Sequence, residues 1–309
     1  MFYQRNVNLK SRRKILKKIK LISDGASDLT PENIKKYDVS VIPFWVNYEN
    51  ESKLLTSDEL YEMMKNNPKM HFKTACPSIE DFASEFEKAI LNSQEVLCIC
   101  LSSKFSGSYE SALLAKKSIL EKYPDAVINV VDSLMCSAQQ GLLVLSVAEM
   151  IENDFEVAKI LENIEELKKE SKIFITVKTL DYLRAGGRIG KLSSILLNIL
   201  AVKPIIIMED GNIKSGGKAI GLGMTLQKII GEIKKLFENT AKKIKDFKFC
   251  VGYSTDKILA ERFMNDAIKK LNIDKQNITL NQIGSTAGVH TGPETIGIAS
   301  IRDYQTLSA

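Results

Sequence analysis

Short apolar segments alternate with helix-like segments in the first half of the chain, and this alternation restricts the possible folds more than any other feature. The apolar segments are short enough to be β-strands. They lie at residues 19–22, 39–46, 96–101 and 127–131. Helices are predicted after Thr30, at about 57–66, from Ile79, and at 108–122, 137–152 and 156–169. Such alternation predicts a largely parallel sheet covered by helices.

The second half of the chain has a different order of predicted elements. Asp210-Gly211 lies between two strand-like segments and indicates a β-hairpin. The other predicted elements are strands at 172–177, 247–253 and 277–283, a helix or turn at 179–184, and helices at about 192–200, 224–241 and 256–271. The sequence therefore predicts an α/β protein with two domains, as its 309 residues suggest. We expect a basic extension at 1–18, an N-terminal α/β domain at 19–170 and a C-terminal α/β domain with the hairpin at 171–309.

The positive charge of the chain is concentrated at its start. The first 20 residues contain eight Lys or Arg and no Asp or Glu, whereas the whole chain has a net charge of +5. The remainder is net negative, which disfavours nucleic-acid binding, because that function needs basic residues on the folded surface. We expect a solvated arm; the alternatives are a segment that transiently contacts an anionic membrane surface and a misassigned start.

The cysteines and histidines do not indicate a metal site. The five cysteines, at 76, 98, 100, 136 and 250, lack the spacing of a metal site, and His71 and His290 are too few for a His-rich centre. An odd number of cysteines without a secretory signal favours reduced thiols and a cytoplasmic protein. We therefore expect neither a metal nor another cofactor.

Four segments rich in small and polar residues are candidates for functional loops: SDGASDLTPE, KTACPS, LSSKFSGSYESA and GVHTGPETIG. Ligands of open α/β sheets bind at the carboxyl ends of strands, so we expect these segments to form one site. Ser106 and Gly107 precede a predicted helix, where hydroxyl and backbone N–H groups favour an anion; alternatively, Ser106 or Ser108 only caps that helix. Thr74 could donate a hydroxyl, and His290 could donate an N–H or merely hold a glycine-rich turn.

The same segments do not match common enzyme motifs. SSKFSGS differs from the GxxxxGK[ST] phosphate-binding loop, and no GxSxG motif occurs in its expected context. A small-molecule hydrolase or transferase that uses Ser106, His290 and an aspartate is an alternative, although no spacing supports such a triad. We expect no catalytic residues.

Seven motifs occur in order between Ile19 and the C-terminus: SDGASDLTPENIKKYDVSVIPFWV, KTACPSIEDF, CLSSKFSGSYESALLA, INVVDSLMCSAQQGLLV, LDYLRAGGRIGKL, LLNILAVKPIIIMEDG and GVHTGPETIG. Together they resemble the DegV family of fatty-acid-binding proteins. Two departures are visible. The usual Thr-Ser-Gln-Pro-Ser of the family is Thr74-Ala75-Cys76-Pro77-Ser78 here, and its Lys-Val-Arg-Thr segment corresponds to GKAIG around Lys218, which lacks the arginine.

The resemblance implies a two-domain protein of the EDD fold that holds one long-chain fatty acid in an apolar tunnel, without catalysis or a cofactor. It implies that the carboxylate is bound by Thr74, by one or both of Ser103 and Ser106, by the backbone N–H of Gly107, and by the nearby His290. It also implies that the fatty acid is presented to a separate fatty acid kinase, which makes an acyl-phosphate for phospholipid synthesis. A lipid-responsive regulatory sensor is a further alternative.

The segment YLRAGGRIGKL places Arg184, Arg188 and Lys191 around a glycine pair. Paired glycines mainly satisfy backbone geometry, so one interpretation is a structural turn. The other interpretation is a basic docking edge for the kinase partner.

Overall fold

The structure is a computed structural model, and it describes residues 18–190, 192, 202–240 and 242–307. The basic segment 1–17, Lys191 and the predicted helix at 192–200, apart from Leu192, lie outside the described residues.

The described residues form thirteen β-strands and ten α-helices. The strands are β1 (Ile19–Asp24), β2 (Ser40–Ile42), β3 (Trp45–Tyr48), β4 (Glu51–Lys53), β5 (Phe72–Ala75), β6 (Glu95–Cys100), β7 (Ile128–Asp132), β8 (Lys172–Thr176), β9 (Val202–Glu209), β10 (Asn212–Ile220), β11 (Phe247–Tyr253), β12 (Ile278–Gln282) and β13 (Ile296–Arg302). The helices are α1 (Pro31–Lys36), α2 (Ser57–Asn66), α3 (Ile79–Leu91), α4 (Ser108–Lys122), α5 (Ser137–Glu152), α6 (Val157–Glu170), α7 (Asp181–Ala185), α8 (Leu222–Glu238), α9 (Lys257–Leu271) and α10 (Ser285–Thr291).

The first large sheet is fully parallel, in the order β2-β1-β6-β7, which confirms the expectation from the alternating pattern. Helices cover both of its faces. Val96 and Cys98 pack with α3 and α4 on one face, while Leu97 and Ile99 pack with α5 on the other. Burial on both faces explains why β6 is a continuous apolar segment.

The second large sheet is mixed, in the order β10-β9-β8-β13-β11-β12, and only β11 and β12 are parallel neighbours. The predicted hairpin is confirmed, because β9 and β10 pair across Asp210 and Gly211. Both turn residues have positive φ, as a tight hairpin turn requires. Helix α5 contacts β1 of the first sheet and β11 and β13 of the second, so the largest apolar core surrounds it.

A third, three-stranded antiparallel sheet, β4-β3-β5, was not predicted. The single strand expected at 39–46 is wrong: it is two strands, β2 and β3, that belong to different sheets. Pro43 separates them, because proline cannot donate a ladder hydrogen bond and restricts its own φ. The small sheet positions β5, which carries Thr74, against α2 and α10.

Candidate functional site

The four segments that the sequence singled out contribute to one cavity of about 330 Å³. Most of its wall is apolar and includes Phe44, Leu101, Phe105, Ile175, Leu183 and Ile206. Its polar lining residues are Thr74, Ser106, Arg188, Thr286, His290 and Thr291. The hydroxyls of Thr286 and Thr291 already donate to backbone carbonyls, at 3.0 and 3.2 Å. The polar groups with spare capacity are therefore Thr74, Ser106 and His290 of the predicted anion site, together with the guanidinium of Arg188.

Thr74 and His290 are hydrogen-bonded to each other in the polar part of the cavity wall. Thr74 Oγ1 lies 2.8 Å from His290 Nε2, although the residues are 216 positions apart. Burial, together with the positive charge of Arg188, lowers the pKa of His290 to about 4, so the imidazole is neutral at pH 7. Its Nδ1 is buried and has no hydrogen-bond partner among the described residues.

These contacts decide which nitrogen of His290 carries the proton. A neutral imidazole has one N–H, and a buried N–H without an acceptor costs about 1–3 kcal/mol. We therefore assign the proton to Nε2, which donates to Thr74 Oγ1. The Thr74 O–H is then free to donate to an acceptor in the cavity, such as a carboxylate.

Ser106 and Gly107 line the same cavity at the start of α4. Gly107 is the residue that precedes the first helical turn, and it has no side chain to cap this helix end. Ser106 Oγ accepts the backbone N–H of Ser108 at 3.2 Å, and its own proton can still be donated. The unpaired N–H groups and the dipole of the 15-residue helix α4 favour a negative charge at this position.

Ser103 lies apart from the other predicted ligands. It does not line the cavity but lines a surface pocket of about 390 Å³ next to it. Its backbone N–H donates to Asp132 Oδ1 at 3.1 Å. The pocket and the cavity share five lining residues, Phe105, Ser106, Gly107, Arg188 and Ile213, so the two spaces meet at the predicted anion site.

The three basic residues around the glycine pair have different environments. Arg188 lines the cavity, and its guanidinium donates to the carbonyls of Phe105 and Gly186 at 3.0 and 2.7 Å. Arg184 is exposed, pairs with Asp181 at 2.7 Å and does not line the cavity. Lys191 lies outside the described residues.

Gly186 and Asp24 also contribute to the site. The sequence reasoning noted Gly186 as part of the glycine pair, whereas it did not single out Asp24. Gly186 packs directly against the ring of His290, where any Cβ would overlap Nδ1. Asp24 is fully buried at the end of β1 and accepts hydrogen bonds from the loop that carries Ser106. Asp24 lies in the candidate loop segment SDGASDLTPE, next to the apolar segment 19–22, and this position was the available signal.

No group of three His, Cys, Asp or Glu residues in the described ranges could hold a metal ion. Within those ranges, the helices are too short or too polar to cross a bilayer.

Comparison with known proteins gives consistent matches along almost the whole chain. The model of a family described as uncharacterised protein, DegV family, matches residues 18–303. A DegV domain-containing protein from Clostridium acetobutylicum is 30% identical over 293 residues, which cover 91% of this chain and 96% of the relative.

Two solved structures show the same fold. The crystal structure of a stearic acid-binding protein from Eubacterium ventriosum has a TM-score of 0.88 and 36% identity, and the match covers 94% of this chain and 100% of that chain. A DegV family protein from Thermus thermophilus, described by its fatty acid binding, has a TM-score of 0.81 and 28% identity, and the match covers 92% and 99% of the two chains.

Proposed function

This chain belongs to the DegV family, and from that premise we propose that it binds one long-chain fatty acid in the cavity lined by Thr74, Ser106, Gly107 and His290. The observation that carries the proposal is the asymmetry of this cavity. Its wall is mostly apolar, whereas the hydroxyls of Thr74 and Ser106 and the start of α4 offer donors at one place. A fatty acid has the same asymmetry.

The energetics of such binding divide between the two ends of the ligand. Each CH₂ group removed from water contributes about 0.8 kcal/mol, so the acyl chain supplies most of the affinity, even after the entropic cost of association. Each hydrogen bond to the carboxylate contributes less, but its loss leaves a buried charge short of a donor. The polar residues therefore set the orientation of the ligand.

The hydrolase alternative has less support. A Ser-His-Asp triad needs a carboxylate on the second imidazole nitrogen. Among the described residues, Nδ1 of His290 has no hydrogen-bond partner, and it faces Gly186 instead. We propose a binding role without catalysis by this chain.

We further propose that the bound fatty acid is presented to a separate fatty acid kinase. The surface pocket supports this idea, because it adjoins the cavity at Ser106 and Gly107, where the carboxylate would lie. A partner could reach the carboxylate from this pocket while the acyl chain stays buried. Arg184, exposed on α7, is the candidate docking residue, whereas Arg188 faces the ligand.

The binding proposal is tested by mass spectrometry of an organic extract of the purified protein and by displacement of a fluorescent fatty acid. We expect a co-purified long-chain fatty acid. Thr74→Ala and Ser106→Ala should each weaken binding about tenfold, since one lost hydrogen bond to a charged group costs roughly 1–3 kcal/mol. Thr74→Ser keeps the hydroxyl and should bind nearly normally.

Ser103→Ala is the matched control, because Ser103 belongs to the same loop but does not line the cavity. Its affinity should equal that of the wild type. If Thr74→Ala and Ser106→Ala also bind normally, the carboxylate is not held there. An empty protein that hydrolyses an ester would support the enzyme alternative.

A further inference from the structure

Asp24 connects four parts of the molecule through one buried carboxylate. Its side chain is fully buried at the end of β1. Oδ2 accepts the backbone N–H of Leu101 at 2.8 Å and the hydroxyl of Ser108 at 2.6 Å. Oδ1 accepts the side-chain amide of Gln140 at 2.9 Å and, more weakly, the backbone N–H of Ala26 at 3.3 Å.

The two donors to Oδ2 stand at the two ends of one loop. Leu101 follows the last residue of β6, and Ser108 is the first residue of α4. The residues between them include Phe105, Ser106 and Gly107, which line the cavity. A single carboxylate oxygen therefore holds both ends of the loop that carries the proposed carboxylate donors.

This arrangement has a chemical cost, because a carboxylate is removed from water. Burial raises the pKa of Asp24, because a carboxylate loses its hydration in the core, while the bonds from Ser108, Leu101 and Gln140 counteract the rise. An apolar residue of similar size would avoid the desolvation. A short, charge-assisted bond between Ser108 and Asp24, in contrast, gives a defined geometry.

We propose that Asp24 is a positioning residue that makes the cavity select a carboxylate over a neutral head group of the same chain length. It acts through the 101–108 loop, by holding Ser106 and the N–H of Gly107 at the distance that an anion needs. The inference rests on the proposed function, because it concerns the head-group end of the same cavity.

The test compares two ligands, a fatty acid and the fatty alcohol of equal chain length, by displacement of a fluorescent fatty acid. In Asp24→Asn one carboxylate oxygen becomes an NH₂ group. Both oxygens of Asp24 accept from donors, so this NH₂ group faces other donors in either orientation of the Asn side chain. We expect at least a tenfold loss of fatty acid affinity and less than a twofold change for the alcohol. A merely structural role predicts equal losses for both ligands.

A double variant provides a specific rescue. In Asp24→Asn/Gln140→Glu, the Asn amide can donate to the new Glu carboxylate, and its oxygen can still accept from Leu101 and Ser108. The number of buried charges is unchanged. We expect the preference for the acid to return to within about threefold of the wild type, which corresponds to less than 1 kcal/mol.

Asp132→Asn is the matched control. Asp132 ends β7, which lies in the same sheet as β1 on the far side of β6, and its Oδ1 accepts the N–H groups of both Ser103 and Leu134. An asparagine oxygen can accept both bonds, so the acid preference should be unchanged. If Asp24→Asn does not fold, Ser108→Ala removes one of the two bonds to Oδ2 and should give a smaller selective loss.

The outcomes separate the inference from the proposed function. A wild type that binds neither ligand overturns the proposed function. The other outcome is a wild type that prefers the acid, while the Asp24 variants keep this preference or lose affinity for both ligands equally. That outcome overturns only the role of Asp24 and leaves the proposed function in place.

Discussion

At the scale of single residues, the surroundings of His290 determine its chemistry. Because its pKa is lowered to about 4, the ring is uncharged at neutral pH and takes part in the site as a hydrogen-bond donor. The lowered pKa also makes the free energy of unfolding depend on pH. The folded state binds the proton less tightly than the unfolded chain, so the contribution of His290 is present above its ordinary pKa and is lost as the pH falls towards 4.

The buried carboxyl of Asp28 should affect the pH dependence of stability in the opposite direction. Burial raises its pKa to about 7, although Ser137 and the backbone N–H of Gly284 donate to it. The folded state therefore binds the proton more tightly, and this contribution is lost as the pH rises from about 4 to 7. Compared with the wild type, Asp28→Asn should gain about 2–3 kcal/mol of unfolding free energy between pH 5 and pH 8.

Urea unfolding at both pH values measures this difference. Asp125→Asn, at an exposed position of the turn before β7, controls for the general loss of one negative charge. If the difference in unfolding free energy between the wild type and Asp28→Asn is the same at both pH values, the pKa of Asp28 is not raised.

At the scale of elements, α10 shows how neighbouring structure positions a functional residue. Seven residues are too few for a stable isolated helix, and Gly284 provides no side-chain cap. Contacts with other elements hold it: Thr286 donates to the carbonyl of Gly25 at 3.0 Å, and Gly288 packs so closely on Tyr61 that a Cβ would lie 2.6 Å from its hydroxyl. The position of His290 therefore depends on the packing of α10 against α2 and α7.

The contact between α7 and α10 leads to a prediction for Gly186. This residue directly follows α7 with φ −77° and ψ −6°, which alanine adopts without strain, but the Cβ of an alanine would overlap His290 Nδ1. Gly186→Ala should displace the ring, break its bond to Thr74 and weaken fatty acid binding about tenfold. The assay is displacement of a fluorescent fatty acid, with the melting temperature measured in parallel.

Gly223→Ala in α8 is the control, because apart from the adjacent backbone of its own helix no described atom lies within 4 Å of its Cβ position. It should bind like the wild type. If Gly186→Ala binds the fatty acid with normal affinity, displacement of the His290 ring does not reduce affinity. The His290–Thr74 hydrogen bond then does not position the ligand.

At the scale of the whole molecule, the proposed presentation of the ligand needs a docking surface distinct from the cavity. Arg184 is exposed, whereas the Arg188 guanidinium is bonded to two carbonyls at the cavity wall. With a bacterial fatty acid kinase, Arg184→Glu should reduce acyl-phosphate formation strongly at low salt and less at high salt, because complementary charge acts mainly on encounter. Fatty acid affinity should be unchanged.

Lys122→Glu serves as the control charge reversal, since Lys122 ends α4, roughly 20 Å along the helix from Ser108. It should not affect the kinase reaction. Arg188→Glu, by contrast, should weaken ligand binding itself. An Arg184→Glu protein with normal kinase turnover at low salt would exclude Arg184 from docking.

The sequence alone determined the elements whose signals are local. Helices α4 and α5 and strand β11 have the predicted bounds, because apolar periodicity and turn residues act within one segment. The parallel sheet and the hairpin followed from the same signals, and the ordered motifs indicated the family. The break at Pro43 and the small sheet that carries Thr74 were missed, because pairing with β3 is not visible within β5.

Only the tertiary structure decided which candidate residues meet. Thr74 and His290 are hydrogen-bonded because β5 and α10 pack together. Ser103 lies outside the cavity, although it is three residues from Ser106. Arg188 lines the cavity, whereas Arg184 is exposed. Asp24 was recognised only through its partners, which lie in the turn after β1, directly after β6, in α4 and in α5. The physical reason is that periodicity and capping are encoded by neighbours in the chain, whereas burial, pKa and hydrogen-bond partners depend on distant segments brought into contact by packing.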